Sequence, residues 1–185
     1  ILFGEANPEG KLPVTFYRTT EELPDFKDYS MKGRTYRYME NEALYPFGYG
    51  LSYSDYEISD VSADSDKISV DTNITVNASI TNRGERAGAE TVQVYVKYIG
   101  EDVPNCQLKG LKKVMLNPGE IKTVSFTLTP DSFGLYNEEG VKILNSGDYE
   151  IYVGTSQPDA RSIALTGKTP VCIKASNAAD AVVPE

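Results

Sequence analysis

From about residue 54 onward, apolar and polar residues alternate with a period of two, which is the pattern of a strand with one buried face. The clearest segment is 73–81, where Ile74, Val76, Ala78 and Ile80 share one face and every other position is polar. The other predicted strands lie at 56–61, 92–98, 108–116, 124–128 and 149–153, with a last strand or pair at 163–165 and 171–173. Turn signals separate these segments, and none has a convincing helical period.

About seven short antiparallel strands within residues 54–175 are typical of an all-β, immunoglobulin-like or fibronectin-III-like sandwich. The chain has no Trp and lacks the cysteine pattern of antibody domains, so the fibronectin-type variant fits better. Its two cysteines, Cys106 and Cys172, are expected to be free, partly buried thiols. The tail, 176–185, is small and polar, and we expect it to fray.

The first 53 residues lack a comparable pattern. The segment 1–16 contains the apolar run Ile1-Leu2-Phe3 and an alternating strand, Leu12–Phe16, whose internal proline is compatible only with a sheet edge or with the first residues of a strand. Residues 17–43 hold no apolar period longer than one turn. Such a long irregular stretch is unusual inside a compact domain, so residues 17–53 are interpreted as an extended arm that lies on another surface.

Two stretches of this arm, Lys32–Tyr38 and Leu44–Tyr53, are rich in arginine and tyrosine. Tyrosine rings supply buried area with a polar tip, which is the composition of a docking surface rather than of a disordered linker. Composition alone leaves two alternatives equally open, since the rings either dock on another domain or cover the adjacent β domain. The candidate docking residues are Arg34, Tyr36, Arg37, Tyr38, Tyr45, Phe47 and Tyr49.

The two arginines of this set, Arg34 and Arg37, lie between tyrosines. A guanidinium can hold a carboxylate through two parallel hydrogen bonds or stack on an aromatic ring. One interpretation is therefore recognition of a sugar or a carboxylate at a site shared with another domain. The favoured interpretation is an interdomain staple, because nothing else in this chain completes a pocket.

The charge balance excludes several classes of function. A net charge of −9, from 27 acidic and 18 basic residues, disfavours nucleic acid and anionic membranes as partners. The absence of histidine removes Ser-His, Cys-His and His-metal arrangements. The carboxylate clusters lie in polar, turn-like stretches, where solvated charges are the common case. The sequence therefore predicts no catalytic residue, no metal site and no cofactor in this chain.

Several motifs of the chain, taken together, resemble the C-terminal part of glycoside hydrolase family 3, the family of β-glucosidases, β-xylosidases and related exo-acting enzymes. These motifs follow the family order along nearly the whole chain, at Asn7–Phe16, Asp28–Tyr38, Tyr45–Tyr53, Thr81–Gly88, Leu108–Gly110, Leu116–Glu120 and Gly147–Tyr149. The resemblance implies that residues 1–16 are the end of an α/β sandwich domain and that residues 17–53 are an arm connecting it to the next domain. Residues 54–175 would be a fibronectin-III-like domain, and residues 176–185 a tail.

The same resemblance places the chemistry elsewhere. In the family, the nucleophilic aspartate lies in an N-terminal (β/α)₈ barrel and the usual acid/base glutamate lies upstream of the region that this chain matches. Neither has a matching position here, so no catalytic role is carried over to Glu5, Glu21 or Glu40. The implied partners are the barrel and the α/β sandwich domain of the same enzyme, with the carbohydrate substrate bound through those domains.

The expectation for function is therefore a non-catalytic C-terminal part of a retaining glycosidase that removes terminal β-linked glucosyl or xylosyl units. Its β domain would stabilise the enzyme, and the arm would dock on the other domains. The alternative is a stand-alone carbohydrate-binding or adhesion module, with Tyr95 and Tyr152 as an exposed aromatic platform. The lack of a disulfide signal mildly favours a bacterial cytoplasm, with secretion as the alternative.

Overall fold

Alternating apolar residues build two sheets that pack face to face in the computed structural model, which describes residues 1–184. The strands are β1 (Tyr56–Ala63), β2 (Lys67–Ile68), β3 (Ile74–Asn82), β4 (Gly88–Tyr98), β5 (Gln107–Leu116), β6 (Ile121–Leu128), β7 (Leu135–Tyr136), β8 (Lys142–Leu144), β9 (Gly147–Gly154), β10 (Val171–Asn177) and β11 (Ala181–Val182). The helical segments are α1 (Thr35–Tyr38), α2 (Ala160–Thr166) and two single 3₁₀ turns, Thr20–Glu22 and Pro130–Ser132.

One sheet has the strand order β1-β3-β6 and the other the order β2-β10-β9-β4-β5. All pairs of neighbouring strands are antiparallel except β10 with β2. The core lies between the two sheets and contains fully buried residues from both, among them Val76, Ile80, Val94 and Ile151. The prediction of an all-β sandwich preceded by a mostly irregular arm is confirmed.

Residues 176–184 of the C-terminal tail do not fray, so the prediction is wrong for them. Strand β11 pairs with β8, which also pairs with β7 to form a small third sheet. The Asp180 carboxylate accepts a hydrogen bond from the Ser146 amide at 2.6 Å, and Val183 is buried. Strands of two or three residues cannot display an alternating pattern, which is why this sheet was not predicted.

The predicted strand at 163–165 is also wrong, because these residues lie in α2. The Asp159 side chain caps this helix by accepting a hydrogen bond from the Ser162 amide, and Gly167 ends it in the left-handed conformation at φ 69°. These two cap residues were the available signal, since three apolar residues in a row fit a strand equally well. No helix among residues 1–184 is long and apolar enough to cross a membrane.

The segment Leu12–Phe16 does not form the predicted regular strand. It makes a single β-bridge, from Phe16 to Tyr45. Around that bridge, Leu12 donates a backbone hydrogen bond to Tyr49 and Gly48 donates one back to Leu12, both at 2.8 Å. Pro13 and Pro46 carry no amide hydrogen, so the ladder cannot continue between these contacts.

The two cysteines are free, as predicted. Cys106 is buried, and this burial raises the pKa of its thiol to about 11, so it remains protonated near neutral pH. Cys172 is exposed, so the prediction that the thiols are partly buried is wrong for this residue.

Candidate docking surface on the arm

The inner face of the arm packs on strands β4 and β5 of its own β domain. The ring of Tyr36 stacks on Phe47, with centroids 4.2 Å apart and an angle of 10° between the planes, and meets the edge of Tyr95 at 6.3 Å. The Tyr36 hydroxyl accepts a hydrogen bond from the Leu108 amide at 3.1 Å. These two candidate residues, Tyr36 and Phe47, therefore cover the adjacent sheet.

A buried polar network lies beneath this aromatic contact. The Gln93 amide nitrogen donates to the carbonyls of Gly48 (3.0 Å) and Thr155 (2.8 Å), and its oxygen accepts from the Tyr95 hydroxyl at 2.6 Å. Burial raises the pKa of Tyr95 far above its ordinary value, so the hydroxyl remains a hydrogen-bond donor. Gln93 thus ties the arm to the sheet through a backbone carbonyl.

Sequence reasoning missed Gln93 and was wrong to propose Tyr95 as an exposed platform. Both residues occupy the polar positions of β4, which strand alternation assigns to solvent, but they are only 2% and 0% exposed because the arm covers that face. Tyr152 is half-buried, and its hydroxyl donates to the Glu150 carboxylate at 2.5 Å. The available signal was Gly48-Tyr49-Gly50, since glycines permit close backbone approach.

Arg37 also faces the β domain. Its guanidinium donates to the Gln107 side-chain oxygen at 2.8 Å and lies 5.6 Å above the ring of its neighbour Tyr38. Its carbonyl accepts a hydrogen bond from the Asn105 amide at 2.7 Å. Arg37 therefore joins α1 to the start of β5, and Tyr38 packs against its guanidinium.

Arg34 is placed differently, although it lies only one helical turn from Arg37. Its guanidinium donates to the carbonyls of Asp25, Asp28 and Ser30, at 2.5 to 3.1 Å. These contacts close a loop within the arm and do not reach the β domain. The structure therefore separates the two arginines that the sequence grouped together.

Tyr45 and Tyr49 form a third contact, between the arm and the N-terminal segment. Their rings are nearly parallel, with centroids 5.8 Å apart, and Phe16 meets Tyr45 edge-on at 6.2 Å. Tyr49 is buried, whereas Tyr45 is partly exposed. These rings hold the segment 12–16 against the arm.

Charged residues anchor the N-terminal segment to the β domain. Lys11 forms an ion pair with Glu90 at 2.7 Å, and their side chains are only 15% and 8% exposed. Glu9 pairs with Lys113 at 3.0 Å and accepts a hydrogen bond from the Ala89 amide at 2.8 Å. The residues before the arm are therefore fastened to the sheet that the arm covers.

The contact made by Glu9 gives a pH-dependent prediction. The hydrogen bond from Ala89, followed by the Lys113 ammonium, lowers the pKa of Glu9 below its ordinary value of 4.5. Because the folded-state pKa is lowered, this contact stabilises the fold fully above the ordinary pKa of 4.5. The stabilisation is lost as the pH falls from there through the lowered pKa. We expect the amide proton shift of Ala89 to titrate with a midpoint below 4.5 in NMR spectra. A midpoint at or above 4.5, or a titration that survives Glu9→Gln, would contradict this assignment.

The outer face of the arm is apolar and has no partner among residues 1–184. Phe26 and Tyr29 are 94% and 92% exposed, and Leu23, Met31 and Val14 are about half exposed beside them. Together these residues border an open groove of about 950 Å³. Large exposed apolar patches mark interaction sites, so this groove is the candidate docking surface. The β domain of the chain leaves it uncovered.

Comparison with known proteins found two family models that match different parts of the chain. The "Glycosyl hydrolase family 3 C-terminal domain" matches residues 1–53, and the "Fibronectin type III-like domain" matches residues 90–157. The chain is 40% identical to a xylan 1,4-beta-xylosidase of Xylanibacter ruminicola, over 90% of this chain and 19% of the relative. It is 39% identical to thermostable beta-glucosidase B of Acetivibrio thermocellus, over 86% of this chain and 23% of that relative.

A solved structure, that of the beta-glucosidase from Listeria innocua in complex with glucose, is similar over 96% of this chain and 25% of that one. The TM-score is 0.76 and the sequence identity 31%. The fold is thus a fibronectin-III-like sandwich carrying an N-terminal arm. The chain is similar to a C-terminal region of glycoside hydrolase family 3 enzymes. It spans about a fifth of the length of the curated relatives that it matches.

Proposed function

We propose that this chain is the non-catalytic, stabilising C-terminal part of a family 3 glycoside hydrolase that removes terminal β-linked glucosyl or xylosyl units. The observation that carries the proposal is the two-faced arm. Its inner face is fastened to the β domain through Tyr36, Phe47 and Gln93, whereas its outer face exposes Phe26 and Tyr29 to solvent. An arm of this kind joins a rigid domain to a second surface.

The second surface, in this proposal, belongs to the barrel and the α/β sandwich domain of the same enzyme. The curated relatives named beta-xylosidase and beta-glucosidase are four to five times longer than their matched segments, which leaves room for both domains. Burial of Phe26 and Tyr29 alone would remove several hundred Å² of aromatic surface from water. At roughly 25 cal/mol per Å², this contributes a favourable free energy of several kcal/mol before ordering costs.

The proposal is tested by assaying two proteins. One is the chain alone, and the other is a longer protein in which the chain is joined to the polypeptide encoded upstream of Ile1. We expect turnover of aryl β-glucosides or aryl β-xylosides only in the longer protein. Isothermal titration of the chain alone with cello- or xylo-oligosaccharides should give no heat. Turnover by the chain alone would refute the non-catalytic role, and tight binding of these neutral saccharides would favour the alternative of a carbohydrate-binding module.

The docking part of the proposal has its own control. Replacing both rings, as Phe26→Ser with Tyr29→Ser, should leave the unfolding of the isolated chain almost unchanged, because both are exposed there. In the longer protein the same pair should lower the unfolding temperature and the activity. Equal behaviour of the longer variant and its parent would show that the outer face of the arm does not dock.

A further inference from the structure

A second cavity lies on the other side of α1, between the arm and strands β5, β7 and β8. Its volume is about 420 Å³, which is in the range of small-molecule sites. The side chains that line it include three cations and two aromatic rings, namely Arg37, Lys109, Lys142, Tyr38 and Tyr136. This composition differs from that of the apolar groove on the outer face of the arm.

The cavity concentrates positive charge in a chain whose net charge is −9. The one acidic side chain in its lining is Asp102, and Asp131 pairs with Lys142 at its border. Lys109 and Arg37 form no ion pair with any carboxylate of residues 1–184. Burial, followed by the nearby Lys142 ammonium, lowers the pKa of Lys109, while Asp131 acts in the opposite direction. Partly buried cations without a counterion favour an anion as ligand.

Arg37 provides an independent observation. Its Nε atom is buried and has no hydrogen-bond partner among residues 1–184, although another nitrogen of the same guanidinium donates to Gln107. A buried donor without an acceptor destabilises the folded state, and such groups are rare. The guanidinium lines the cavity and donates only to Gln107, so it keeps donor capacity that an acceptor from a ligand can use. Carboxylates fit guanidinium donors well because two oxygens can accept in parallel.

We propose that this cavity binds an acidic saccharide through the carboxylate of a uronic acid residue. The carboxylate would lie among Arg37, Lys109 and Lys142. Tyr136, which is 72% exposed, offers a ring face on which the apolar side of a sugar can pack. Inorganic anions would satisfy the cations without using this ring, and a protein carboxylate would not need a cavity of this size. The site lies wholly within this chain, so it does not depend on the proposed hydrolytic function.

The proposal is tested by titrating the full chain with D-glucuronate at low ionic strength, followed by calorimetry and NMR. Glucose and xylose are the neutral comparisons, sulfate tests for a simple anion site, and N-acetylglutamate amide represents a protein carboxylate. We expect glucuronate to bind more tightly than all four. Lys109→Gln should weaken its binding at least about tenfold, because it removes a charge-assisted hydrogen bond. Amide shifts should be centred on the residues around Tyr136 and Gln107.

Lys174→Gln is the matched control, since it removes the same charge from an exposed position on β10, which is not part of this cavity. It should leave glucuronate binding within about twofold of the parent chain, as expected for an exposed charge screened by solvent. The proposal is overturned if glucuronate does not bind, or if Lys109→Gln and Lys174→Gln behave alike. It is also overturned if sulfate, the neutral sugars or the glutamate derivative bind equally well.

Discussion

Replacing Gly48 by alanine should lower the free energy of unfolding by about 3 kcal/mol and release the arm from the β domain. Gly48 has a φ of +76°, a left-handed conformation that side chains disfavour. A Cβ atom at this position would lie 2.2 Å from the Gln93 side-chain oxygen and 2.8 Å from the Tyr95 hydroxyl. Gln93 cannot move aside without losing its buried hydrogen bonds. Urea unfolding, together with trypsin cleavage after Lys32 and Arg34, measures both effects.

Gly10→Ala is the control for this substitution. Gly10 belongs to the same part of the chain, but its φ is ordinary and a Cβ atom there would meet nothing within 4 Å. Its effect on the free energy of unfolding should remain within about 0.5 kcal/mol. If Gly48→Ala unfolds and resists trypsin like the parent chain, the Gln93 network does not hold the arm in place.

The sandwich was predictable because each of its long strands carries its own alternating pattern. Strand β3 shows this most clearly, since its apolar positions alternate with polar ones and point into the core. The alternation fails on β4, where Gln93 and Tyr95 are buried as fully as Val92 and Val94. The residues that cover this second face come from the arm, about 45 positions earlier in the chain. No local pattern reports such a contact.

The arm was only partly predictable for a related reason. Composition marked Tyr36 and Phe47 as candidate docking rings, but the area that a ring buries is the same whichever surface it covers. The identity of that surface depends on backbone geometry, such as the single turn of α1 that directs Arg37 towards β5. Arg34 precedes the turn and faces the loop 25–30 instead. The proposed role of these residues in docking on other domains stays a prediction.

The N-terminal segment links the two parts of this structure through an ion pair that the sequence did not reveal. Lys11 and Glu90 lie 79 positions apart, and each also fits a solvated surface charge. In the fold, the Glu90 carboxylate accepts from the Thr91 amide at 2.6 Å as well as from Lys11. Both partners are largely removed from water, so each depends on the other for compensation.

Glu90→Leu is therefore expected to lower the free energy of unfolding by about 3 kcal/mol, at the lower end of the range for breaking a buried ion pair. The lower end applies because the Lys11 side chain keeps 15% of its exposure and can turn partly towards solvent. Urea unfolding of the full chain measures the change. Glu57→Leu is the control, since it breaks an equally short ion pair between Glu57 and Arg83. Both side chains of that pair are more than half exposed. Its effect should stay below about 1 kcal/mol.

The double variant, Lys11→Met with Glu90→Leu, separates the cost of an unpaired charge from the loss of packing. Because it removes both charges and keeps the side-chain volume, it should recover most of the stability and lie within about 1 kcal/mol of the parent chain. The coupling between the two positions would then be at least about 2 kcal/mol, since the cost of Lys11→Met alone adds to the difference between Glu90→Leu and the double variant. If the double variant is as unstable as the sum of the single variants, the pair is not coupled. In that case the other contacts of the N-terminal segment, such as the Glu9 pair with Lys113 and its hydrogen bond from Ala89, hold it on the β domain.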